Sequence, residues 1–174
     1  MAIQFDGKQK VINKAQPQQK FDYMFESAGP GCTFVLTKRL VLELQKFLID
    51  NEEKCRAIEL HDWFIYAYTR SRGYQWFIDS ESHMLYRQHN NNVFGANIGI
   101  KAKLVRWKKM REGWLIKQAV LIADVLGYDN LWPIVRLKRN NIADRLYLIA
   151  NVKKFRRRFF DRVAFSLFLL LPTQ

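Results

Sequence analysis

Apolar and polar positions follow two different periods along this chain. Ala2 to Phe5 and Val11-Ile12 are short extended runs on either side of Asp6-Gly7, a pair that favours a hairpin turn. Ala15 to Lys20, with Pro17 and three glutamines, reads as a loop. Gly29-Pro30-Gly31 marks a bend, and Cys32 to Leu36 then reads as a short strand. Thr37 is an N-cap residue type, and after it Leu40, Val41, Leu44, Phe47 and Leu48 recur at helical spacing. Polar Asp50 to Lys54 separates that helix from the next.

The spacing predicts a second helix over His61 to Ser71, with Trp63, Phe64, Ala67 and Tyr68 mostly on one side and Gly73 as its stop. Tyr74 to Ile78 reads as a strand of aromatic and β-branched residues, followed by a turn at Asp79 to Ser82. Met84 to Tyr86 is extended and leads into Arg87-Gln88-His89; Asn90 to Asn92 and Gly95 make the next loop polar. From Ile98 the period becomes helical. It predicts a helix over Trp114 to Leu126, a break at Gly127 to Asn130 and a helix opening at Leu131 or Trp132 beside Pro133. A last basic-aromatic helix is expected over Asn151 to Leu171. The chain thus reads as α/β to about residue 97 and all-helical beyond it.

Charge sharpens that division. Residues 1–99 carry 12 Lys/Arg and 11 Asp/Glu, whereas residues 100–174 carry 17 and 5. Nearly the whole net charge of +13 therefore sits in the second part. Two units are expected, 1–97 and 98–174. With 49% of its residues apolar, a chain of 174 residues can build a core rather than remain disordered. Cys32 and Cys55 have neither metal-ligand nor disulfide-framework spacing, which suits a reducing cytosol. The opening twenty residues lack the apolar stretch of a secretory signal. The run Val163 to Pro172, about ten residues, is about half of what a spanning helix needs. A cytoplasmic protein is expected, peripheral at the inner face of the plasma membrane.

Three stretches could carry chemistry: Gly31-Cys32-Thr33, His61-Asp62-Trp63 and Tyr86-Arg87-Gln88-His89. Asp62 can be a plain first-turn carboxylate favoured by the helix dipole, or a general base that takes a proton from an attacking hydroxyl. Arg87, Gln88 and His89 suit phosphate, and His89 could also ligate a divalent metal; a solvated loop is the other reading. The basic tail has three readings of its own: a solvated face, an anionic membrane surface, or a nucleic-acid track. No nucleic-acid module is present, so that last partner is disfavoured.

Taken in order, these stretches resemble the C-terminal, acceptor-side half of family 2 (GT-A type) glycosyltransferases, closest to rhamnosyltransferase-like members that build bacterial surface polysaccharides. The resemblance covers residues 1–99 well and the tail more loosely. It implies a partial GT-A-like mixed sheet with flanking helices, followed by a basic helical extension. It implies Asp62 as the base of an inverting displacement, with His61 and Trp63 shaping the acceptor pocket. Arg87, Gln88 and His89 would close over the diphosphate, His89 touching Mg²⁺ or Mn²⁺, and Gly31, Cys32 and Thr33 would form the floor beneath the donor sugar. A nucleotide-sugar and a glycan or lipid-linked acceptor are the implied partners. The family's Asp-x-Asp metal motif has no counterpart here, so little or no transfer is expected from this chain alone; a missing N-terminal half, or a second copy pairing along an open sheet edge, is a further expected partner. A non-catalytic basic module binding membrane or nucleic acid is the alternative.

Overall fold

The computed structural model describes residues 2–5, 8–11, 13–81, 83–87 and 113–170. Helices make up the body. In chain order they are α1 (Lys38–Asp50), α2 (Glu52–Cys55), α3 (His61–Ser71), α4 (Trp114–Leu126), α5 (Trp132–Arg139), α6 (Ile142–Ala150) and α7 (Phe159–Leu170).

Local chemistry sets most of their limits. Thr37 Oγ1 accepts the Leu40 N–H at 3.4 Å and caps α1. Gly73, at φ +80°, follows α3 in the left-handed region that glycine adopts without a Cβ clash. Gly127, at φ +76°, closes α4, and the Tyr128 N–H reaches back to the Ala123 carbonyl at 2.7 Å. Pro133 sits in the first turn of α5, where its missing N–H costs nothing. A helix that the spacing did not predict, α6, is capped by Asn141, whose Oδ1 accepts the Asp144 N–H at 2.8 Å.

Among the described residues the expected mixed α/β sheet with flanking helices is not formed; their architecture is helix on helix. Extended pairing among the described residues is confined to three very short strands, β1 (Ala2–Phe5), β2 (Lys8–Val11) and β3 (Leu85–Arg87), in the order β2-β1-β3. The β1–β2 pair is antiparallel and matches the predicted hairpin; β1–β3 is parallel, with Ala2 opposite Leu85. The runs expected to build the larger sheet do something else. Gly31–Thr33 is a single 3₁₀ turn, and Tyr74 to Ile78 is irregular. Trp76 explains why: its ring packs edge-on against Phe34 at 4.8 Å and against Tyr66 of α3 at 5.2 Å. Trp76 is thus used in packing against Phe34 and α3, while Phe77 stays exposed.

One apolar cluster draws on residues from both ends of the chain. Phe21 and Phe25 meet Phe155, with Phe25–Phe155 centroids 5.0 Å apart, and Phe165 of α7 lies 5.7 Å from Phe25. Trp63, Phe64, Leu115, Ala119 and Ile122 continue it across α3 and α4.

The predicted helix over Asn151 to Leu171 is also corrected. It is a 3₁₀ turn, Val152–Lys154, then a bend, then α7. The break falls where backbone and side chains are claimed by distant partners. The Arg157 N–H donates to Glu26 Oε1 at 2.7 Å, Arg157 Nη2 to the Ser27 carbonyl at 2.5 Å, and Arg156 Nη1 to the Phe25 carbonyl at 2.6 Å.

Candidate functional site

The segment before Gly29 is fixed first. Asp22 is fully buried, with Arg157 Nε and Arg70 Nη1 each 3.5 Å from its carboxylate and the Tyr66 hydroxyl donating to it at 3.1 Å. Glu26 lies 3.3 Å from Arg157 Nε. Burial is the main influence on the Asp22 carboxyl and holds it above the usual carboxylate range, with both arginines opposing. Burial likewise pushes the Tyr66 hydroxyl above its ordinary value. Sequence reasoning missed this cluster and counted Arg157 among the cations of the basic tail. Arg157 and Glu26 are 131 positions apart, and no local spacing reports such a pair.

Two residues past Glu26–Ser27 comes the glycine turn. Ser27 Oγ donates to the Gly29 carbonyl at 2.7 Å. The Pro30 carbonyl accepts both the Thr33 N–H, at 2.9 Å, and the Thr33 hydroxyl, at 2.7 Å. The turn closes onto the start of α3. A Cβ built on Gly31 would lie 2.7 Å from His61 Nε2, 3.0 Å from His61 Cδ2 and 3.4 Å from Asp62 Cβ. Only a residue with no side chain lets the backbone approach the imidazole this closely. Two of the three sequence motifs, 29–33 and 61–63, therefore meet.

Within that meeting point the side chains differ in exposure. His61 is exposed and Asp62 half-buried, with Asp62 Oδ1 accepting the Trp63 N–H at 2.8 Å in the first turn of α3. Trp63 is core, 2% exposed, and its indole N–H donates to the Tyr23 carbonyl at 3.0 Å. It anchors the start of the helix from beneath. Cys32 and Thr33 are exposed on the turn.

The third motif is not positioned to the same extent. Arg87 ends β3, where only its backbone is described, and Gln88 and His89 lie outside the described residues. His83 pairs with Asp79 at 3.1 Å on the surface.

A cavity of about 680 Å³ borders the same turn on its other flank. Gly29, Pro30 and Thr33 form one wall; Phe34, Tyr74 and Trp76 supply aromatic surface. Such a cleft suits a polar molecule with apolar ring faces. Among the described residues no group of three or more His, Cys, Asp or Glu is placed to hold a metal ion; His89, the residue expected to touch Mg²⁺ or Mn²⁺, lies outside them. No described helix is long and apolar enough to cross a membrane.

The chain is 42% identical over 165 residues to the dTDP-rhamnosyl transferase RfbG of Shigella flexneri, an alignment that covers 95% of this chain and 56% of that protein. No protein-family model matches, and no solved structure does. The chain spans 56% of its curated relative's length, and over that part it is similar to a sugar transferase.

Proposed function

We propose that this chain is the acceptor-side part of a glycosyltransferase, rhamnosyltransferase-like and of family 2. It would move a sugar from a nucleotide-sugar to a glycan or lipid-linked acceptor. The observation that carries this reading is the closure of the Gly31 turn onto His61 and Asp62 at the start of α3. The similarity to a dTDP-rhamnosyl transferase supports dTDP-rhamnose as the donor.

In this reading Asp62 takes the proton of the acceptor hydroxyl as its oxygen attacks the anomeric carbon. The bond from that carbon to the diphosphate breaks, and the nucleoside diphosphate leaves with the electron pair. The first turn of α3 holds the carboxylate through the Trp63 N–H, and buried Trp63 keeps that turn from shifting. His61 borders the acceptor. Cys32 and Thr33 face the donor sugar, and Arg87, Gln88 and His89 close on the diphosphate. Nucleotide binding draws on a further part of the enzyme, as the 56% coverage of the relative supports.

The test is transfer of labelled rhamnose from dTDP-rhamnose to a glycolipid extract by the native gene product that carries this sequence. Labelled glycolipid with stoichiometric dTDP is expected. Absence of transfer from dTDP-rhamnose and from every other nucleotide-sugar offered would sink the reading.

A further inference from the structure

α7 is apolar on two opposite faces. At about 100° per residue, Phe165, Phe168 and Leu169 fall on one arc and are buried in the core. Phe159, Phe160, Val163, Leu167 and Leu170 fall on the opposite arc and are all exposed, Phe160 at 75% and Phe159 at 68%. A run of five exposed apolar side chains along one helix face is an interaction surface rather than ordinary solvated surface. The preceding helix α6 packs on α7 and also leaves Ile142 and Leu146 exposed.

What meets it is indicated by charge. Residues 131–170 hold ten Lys/Arg and two Asp/Glu, a net of +8. Some of these cations are occupied inside the fold: Arg157 is buried against Asp22 and Glu26, and Arg136 pairs with Asp144. Arg139, Lys153, Lys154 and Arg158 are exposed instead, and three of these four lie within the six residues before Phe159. An apolar stripe of Phe, Val and Leu beginning beside a basic cluster matches an anionic lipid bilayer, with rings and aliphatic groups entering the acyl boundary and ammonium and guanidinium groups at the headgroups. A partner held by charge alone would use the cations but leave the stripe wet.

We propose that the outer face of α7, with Lys153, Lys154 and Arg158, is a docking surface for an anionic membrane. It would lie in the plane of the bilayer surface. The inference is independent of the catalytic reading, because vesicle binding requires no transfer.

The experiment is co-sedimentation of the purified protein with vesicles of phosphatidylglycerol or phosphatidylcholine. Three proteins are compared: the unaltered chain, Phe159→Ser/Phe160→Ser/Leu167→Ser, and Lys153→Gln/Lys154→Gln/Arg158→Gln. All six positions are exposed, so melting temperatures should be preserved. Binding to phosphatidylglycerol is expected, weaker by about tenfold or more on phosphatidylcholine and in each variant. Equal binding to both lipids would overturn the proposal. So would no binding, or serine substitutions that leave lipid binding intact while converting a dimer to monomer, since a second copy would then be the occupant of the face.

Discussion

Gly31→Ala separates the site from the scaffold. The φ of Gly31 is not positive, so alanine meets no backbone strain and the whole cost is steric. Its methyl group would stand 2.7 Å from His61 Nε2, too close to remain, whereas Asp62 Cβ at 3.4 Å needs little adjustment. His61 is exposed, and its ring can swing towards solvent. Such a rotamer change costs about 0.5–1.5 kcal/mol, and the smaller conformational freedom of alanine in the unfolded chain returns about 0.4–1 kcal/mol. The net change in stability is then within about 1 kcal/mol, a shift in Tm of no more than about 2–4 °C for a chain of this size. Transfer should suffer far more, since displacing a positioned group by about 1 Å can lower the rate about a hundredfold. Gly29→Ala is the internal control: its Cβ would find Thr33 Oγ1 at 3.8 Å, an ordinary contact. Thermal melts, imidazole NMR of His61 and rhamnose transfer should be recorded on all three proteins. A displaced His61 with transfer within about twofold of the unaltered protein would refute the role given to the Gly31–His61 contact. A fall in Tm beyond about 10 °C would refute the claim that the turn can yield.

Two further predictions concern the buried ions. Arg157→Met leaves Glu26 and Asp22 without their main cation and should cost about 3–5 kcal/mol in urea unfolding, nearer the lower figure because Arg70 stays beside Asp22; a loss under about 1 kcal/mol would show that the cluster does not hold the two ends together. The Asp22 carboxyl is raised in the folded state, so its contribution is present in full below the ordinary aspartate value and is lost as pH rises through the raised one. The stability advantage of the unaltered protein over Asp22→Asn should therefore shrink with rising pH across that window, and an advantage that grows with pH would mean that the arginines outweigh burial.

What could be read from the sequence was what short-range chemistry decides. Thr37, Gly73, Gly127 and Pro133 each act within one turn of themselves, and α1, α3, α4 and α5 begin or end where those residues place them. Cys32 to Leu36 and Tyr74 to Ile78 were misread as strands because a short apolar run takes its conformation from its neighbours, here Tyr66 and the Phe34–Trp76 contact. A usable signal for α6 was overlooked: Asn140-Asn141 combines a left-handed stop, φ +54° at Asn140, with a side-chain cap. Asp62 at a helix start and the bend at Gly31 were each legible, but the close approach of Gly31 to His61 and Asp62 was not. Arg156 and Arg157 look like surface charge in any local window, and only the distant Phe25 to Ser27 segment takes them inside.

The role of Asp62 is tested most directly by Asp62→Asn in the native gene product. Asparagine keeps an oxygen for the Trp63 N–H, so the first turn of α3 and the melting temperature should be preserved. The substitution removes only the ability to take a proton. The kcat for rhamnose transfer should fall by about 10²–10⁴-fold with little change in the KM for dTDP-rhamnose. A kcat within about threefold of the unaltered enzyme would contradict the assignment of Asp62 as the base and return it to a carboxylate that merely opens a helix.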